Sequence, residues 1–119
     1  MVKKNQVALP INLEEALNRI GGDEAFLKEL LEIYRDEFIN LSQQLEKAIE
    51  LKNYSMIAEN GHTLKGASAN LSLPALREAA WEMEMAGKNQ DLEAARKALT
   101  ALKKEFHRLE KFLSEKNKN

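Results

Sequence analysis

The stretch from Glu24 to Leu51 limits the possible folds more than any other part of the chain. It holds neither glycine nor proline, the strongest breakers of regular structure. Its apolar residues, among them Leu27, Leu30, Leu31, Tyr34, Phe38, Leu41, Leu45 and Ile49, recur at spacings of three and four. Phe26 and Ala48 fit the same pattern. That period belongs to an α-helix with one apolar face. Asp23 precedes it as an N-cap, and Glu24 suits the positive end of the helix dipole.

The rest of the chain repeats the theme. Asn12 reads as an N-cap with Glu15 as its capping-box partner, and Leu13, Ala16, Leu17 and Ile20 give a short helix that Gly21-Gly22 ends. Lys52-Asn53 breaks the long helix, and residues 54–71 form the next. Pro74 suits the first position of a fourth, with Leu76, Ala79, Ala80, Met83 and Ala86 on its apolar face and Gly87 closing it. After a Lys88-Asn89-Gln90 loop, Asp91 caps a last helix with Leu92, Ala95, Leu99, Leu102, Phe106, Leu109 and Leu113 along one seam. No stretch alternates as a strand does. The expectation is an all-α protein: an antiparallel four-helix bundle with a short extra N-terminal helix. Residues 1–11 read as a linker or tail, 12–115 as the bundle domain and 116–119 as a polar tail.

Composition excludes several classes. At 119 residues the chain suits one domain, and 44% hydrophobic with 31% charged residues suits a soluble one. A net charge of −1 disfavours nucleic acid as a partner. No run is long and apolar enough to span a membrane, and the N-terminus lacks the apolar core of a signal peptide. The chain has no cysteine, so neither disulfides nor thiolate zinc sites are available. A cytoplasmic location is the expectation.

The helix over 54–71 carries the candidate site. At about 100° per residue, Ile57, Gly61, Leu64, Ser68 and Leu71 fall on one core-facing stripe. His62 falls elsewhere, and shares a second stripe with Ala58, Lys65, Gly66 and Ala69. That stripe offers one imidazole, one ammonium and otherwise almost no side chain. A glycine inside a helix costs about 1 kcal/mol relative to alanine. At Gly61 a close-packed neighbouring helix would explain it. At Gly66 core packing explains nothing, so something large must approach His62.

HTLKGASANL, residues 62–71, resembles the signature of histidine-containing phosphotransfer (HPt) domains, in which His, Leu, Lys and Gly recur at the spacing of His62, Leu64, Lys65 and Gly66. The glycine that usually closes that signature is Ser72 here. The likeness extends over the layout from about Asn12 to Phe112, as in domains at the C-terminal end of hybrid sensor kinases. It implies that His62 accepts a phosphoryl group from the aspartate of one response-regulator receiver domain and passes it to another. It implies that Glu84, on the following helix, orients the imidazole. It also implies a monomer that holds no cofactor, its Mg²⁺ coming with the receiver, and a hybrid sensor kinase in the same or another chain as a further partner.

The residues agree with this chemistry. An imidazole can attack phosphorus through one ring nitrogen while the other carries a proton, and an acceptor for that proton fixes the tautomer. Glu84 shares a stripe with Ala80 and Leu76 at the edge of a buried face. Lys65, one turn after His62, can neutralise part of a phosphohistidine's charge, and so, more remotely, can Lys88. A surface i,i+4 pair is the plainer reading of Glu84 and Lys88. His107, amid Lys103, Lys104, Arg108 and Lys111, reads as solvated, and Tyr34 and Trp81 as core or interface anchors. No phosphate-binding glycine loop is present, so ATP-dependent autophosphorylation is not expected. Small residues at Ala58, Gly66 and Ala69, with Lys65, would form the docking floor. Two alternatives stay open: the phospho-accepting domain of a chemotaxis-type kinase, and a helical adaptor that carries no phosphate.

Overall fold

The computed structural model describes residues 9–117 as five helices: α1 (Leu13–Arg19), α2 (Glu24–Glu50), α3 (Tyr54–Asn70), α4 (Pro74–Lys88) and α5 (Leu92–Asn117). There are no strands among these residues. The four long helices form the antiparallel bundle, and the residues that tie them together show its directions. Tyr34 and Asn60 reach Ser68 and Gln44, so α2 and α3 run oppositely. Arg35 pairs with Glu110 and Glu46 with Lys103, so α2 and α5 do likewise.

Short connections force this arrangement. Residues 51–53, 71–73 and 89–91 make three turns of one type. In each, the middle residue is left-handed: Lys52, Ser72 and Gln90 have φ of 57°, 59° and 53°. In each, two N–H groups fold back on the preceding helix, as in Asn53 to Ala48 and Lys52 to Ile49, at 2.8 and 3.1 Å. These are Schellman ends built without glycine. Capping follows at once: Asn53 and Asp91 accept from the N–H groups of Met56 and Ala94.

The core is built from the expected stripes. Ile57, Leu64 and Leu71 of the α3 side meet Leu76, Ala80 and Met83 of α4, and all are buried. Phe38 and Phe106 stack with centroids 4.1 Å apart, which locks α2 to α5. Tyr34 and Ser68, both buried, share a hydrogen bond of 2.8 Å. Burial raises the Tyr34 pKa, so this phenol keeps its proton.

Several expectations need correction. Gly87 does not close α4. It lies within it and is buried, because α4 packs against the backbone of α3 there. The capping box at α1 is half made: Asn12 accepts from the Glu15 N–H, but its own N–H goes to the Ser72 carbonyl, 2.9 Å away, instead of to Glu15. Pro10 and Ile11, assigned to the tail, are buried: Ile11 joins the apolar core, next to the Asn12 bond to the α3–α4 turn. Residues 1–8 of that tail lie outside the described residues. α5 continues through Lys116 and Asn117, placed in the polar tail by the sequence. Phe26 is exposed despite its place in the apolar pattern, since it lies about 100° round α2 from Leu27, which is buried in the core. Trp81 is also exposed, so it is not a core anchor.

Ser72 is in a conformation that glycine adopts without strain, and its buried hydroxyl has no hydrogen-bond partner among the described residues. Ser72→Gly is therefore expected to stabilise the bundle by about 1 kcal/mol. A urea unfolding midpoint that rises at constant slope would bear this out, and a fall would show that the turn depends on the serine.

Candidate functional site

The site begins with two glycines. A Cβ on Gly61 would lie 2.5 Å from the backbone N of Glu84 and 2.8 Å from its Cα. A Cβ on Gly87 would lie 2.8 Å from the Cα of Ala58. Each helix thus presents a glycine to the backbone of the other, and α3 and α4 approach until main chains touch. Gly66 is different: a Cβ there would meet nothing within 4 Å. The fold explains Gly61 and leaves Gly66 unexplained, as the sequence suggests.

This approach carries Glu84 in beneath His62. The Glu84 side chain is 6% exposed, while His62 is 69% exposed and points away from the core. His62 Nδ1 lies 3.2 Å from Glu84 Oε2. A carboxylate can only accept, so Nδ1 carries the proton in the neutral ring, and Nε2 keeps a free lone pair. Lys65 reaches Oε1 of the same carboxylate at 2.8 Å, and Lys88 reaches Oε2 at 3.1 Å. A buried carboxylate is tolerated only when paired, and here two ammonium groups pair it.

The electrostatics follow. The hydrogen bond from Lys65 is the largest influence on Glu84 and outweighs burial, which acts the other way; Lys88 adds to it. Together they lower the carboxyl pKa from an ordinary 4.5 to about 2. The Glu84 carboxylate is therefore ionised throughout the range in which an imidazole titrates.

The sequence-derived residues gather as follows. His62, Lys65 and Glu84 meet directly. Gly66 is exposed beside them. Ala58 is half-buried because Gly87 of α4 packs on its backbone. Ala69 is half-buried, and its carbonyl accepts from Arg19 of α1 at 2.8 Å. The open part of the small-residue stripe thus centres on Gly66. Lys88 belongs to the cluster more closely than its sequence position implies. Spacing alone could not tell whether Glu84 faced solvent or α3, because its burial depends on how closely α4 approaches α3. His107 is exposed, as expected. Among the described residues no group of three or more His, Cys, Asp or Glu side chains gathers to hold a metal ion.

Two outcomes are expected from these contacts. Gly61→Ala should destabilise the bundle by about 1–3 kcal/mol, because backbone cannot yield to a methyl group. Gly66→Ala should stabilise it by up to about 1 kcal/mol. Urea unfolding of both variants checks the contrast, and equal effects would contradict it. The lowered Glu84 pKa also sets a pH dependence. A carboxyl whose pKa is lower folded than unfolded adds stability above its unfolded value, and that stability is lost as pH falls from about 4.5 towards 2. The contribution is on the order of 3 kcal/mol. Wild type should lose it over this window in acid titrations of stability, and Glu84→Gln should lack this component.

Comparison with known proteins agrees with the geometry. The family model described as "Hpt domain" matches residues 29–112. The phosphorelay intermediate protein rdeA of Dictyostelium discoideum is 31% identical over 98 residues, which cover 82% of this chain and 39% of that protein. The chain thus spans about two fifths of the length of this curated relative.

Proposed function

The chain belongs to the Hpt domain family, and from that membership we propose that it is a phosphorelay carrier in two-component signalling. The observation that carries the reading is the exposed His62 ring, held by Nδ1 on a buried carboxylate with Nε2 free. The lone pair of Nε2 attacks the phosphorus of a receiver's aspartyl phosphate. The N–P bond forms as the P–O bond to the aspartate breaks, and the aspartate leaves as carboxylate. Nδ1 keeps its proton on Glu84 throughout, so no proton has to move to make the nucleophile. Lys65 stands beside the new phosphoryl group and offsets its charge. Return of the group to a second receiver reverses these bonds.

The partners in this reading are receiver domains, which bring their own acidic pocket and Mg²⁺. A sensor kinase stands upstream. The protein carries the group as a monomer in the cytoplasm and has no ATP-dependent kinase activity of its own. Among the described residues no helix is long and apolar enough to cross a membrane. The Dictyostelium relative is a phosphorelay intermediate protein, which supports the carrier over the kinase-domain and adaptor alternatives.

The test is transfer itself. A phosphorylated receiver with Mg²⁺ should place an acid-labile, base-stable phosphate on the wild type and none on His62→Gln. Gly66→Gln should slow transfer roughly tenfold or more while the bundle stays folded, as circular dichroism would report. Labelling by a kinase catalytic domain and by no receiver in a broad panel would contradict the carrier reading.

A further inference from the structure

Lys88 has no part in the chemistry above, yet its position is specific. Its Nζ lies 3.1 Å from Glu84 Oε2, the same oxygen that stands 3.2 Å from His62 Nδ1. Lys65 occupies the other oxygen. A carboxylate beside an imidazole does two things at once. It accepts the N–H that leaves the far nitrogen free, and it favours the doubly protonated ring, which has no lone pair left to attack with. A histidine that must be oriented and also remain a nucleophile needs the first effect without the second.

We propose that Lys88 is a positioning residue: by sharing the carboxylate oxygen that faces His62, it stops Glu84 from drawing a second proton onto the ring. With Lys65 alone the carboxylate charge is balanced. With Lys88 the cluster facing the ring carries one positive charge in excess, and it opposes a further proton. The orienting bond survives, because a carboxylate oxygen can accept from two donors.

The neighbouring charges leave this balance to the three groups. On α3, Glu59 is exposed one turn before His62, and Lys65 lies one turn after it. On α4, Arg77 lies two turns before Glu84 and is exposed. The part of α2 that packs at this level, between Glu37 and Glu46, holds no charged residue. The plainer alternative is a solvent-exposed i,i+4 pair, since Lys88 is 58% exposed, and such a pair would have no effect on the ring.

This inference rests on the carrier reading for its purpose, but its test needs no receiver. The ring nitrogens of His62 can be followed by ¹⁵N NMR against pH in the whole protein, with the exposed His107 as internal reference. In Lys88→Gln the midpoint of the His62 titration should move up by about half a pH unit or more, while His107 stays in place. Lys88→Arg, which keeps the charge, should return it towards wild type. An unmoved or lowered midpoint in Lys88→Gln, or an equal movement in Lys88→Arg, would overturn the proposal. A chain that accepted no phosphoryl group would leave these titrations as they are, so the two readings fail separately.

Discussion

The contact between the backbones of α3 and α4 is what the rest of the site depends on. Gly61 and Gly87 make it, one from each helix. With any side chain at either position the helices would stand further apart. Their closeness sets Glu84 beneath a histidine that itself points to solvent. The same helix pair supplies the core: Ile57, Leu64, Leu76 and Met83 are buried, while His62 lies off that stripe and is exposed. Core and site are two faces of one helix pair.

Burying a carboxylate has a cost, and the fold offsets it with Lys65 and Lys88. The result is a small cluster in which each charge limits another. Glu84 fixes the ring, and the ammonium groups keep the Glu84 carboxylate ionised down to about pH 2. Gly66 completes the arrangement by leaving space at the surface, in contrast to Gly61, which makes room in the interior. One residue type thus serves two physical ends within five positions of one helix.

Much of this was legible in the sequence, and the residues show why. The period of three and four along α2 and the core stripe of α3 are set by burial, which side-chain polarity reports directly. His62, Lys65 and Gly66 stood out because core packing gives no reason for a glycine at 66 beside an imidazole and an ammonium. Gly87 misled because a glycine near a helix end reads as a terminator, and only the neighbour's backbone shows that it is a contact. The breaks at Lys52, Ser72 and Gln90 could be located, but their left-handed geometry was hidden for the converse reason: the left-handed residue bears a side chain, so the composition gives no sign of it. The burial of Glu84 depends on a partner helix, which no local pattern reveals. Pro10 and Ile11 are buried because Ile11 joins the apolar core beside the α3–α4 turn, a contact sixty residues away that no local pattern shows.

The central claim is that the fold leaves Nε2 of His62 free by holding Nδ1–H on Glu84. Long-range ¹⁵N–¹H correlation spectra, recorded above the pH at which the ring gains its second proton, report the tautomer directly. The expected result is a ring protonated at Nδ1 in the wild type, with that preference lost in Glu84→Ala. A wild-type ring protonated mainly at Nε2 would contradict the account, because the nitrogen presented to a phosphoryl donor would then have no lone pair to offer.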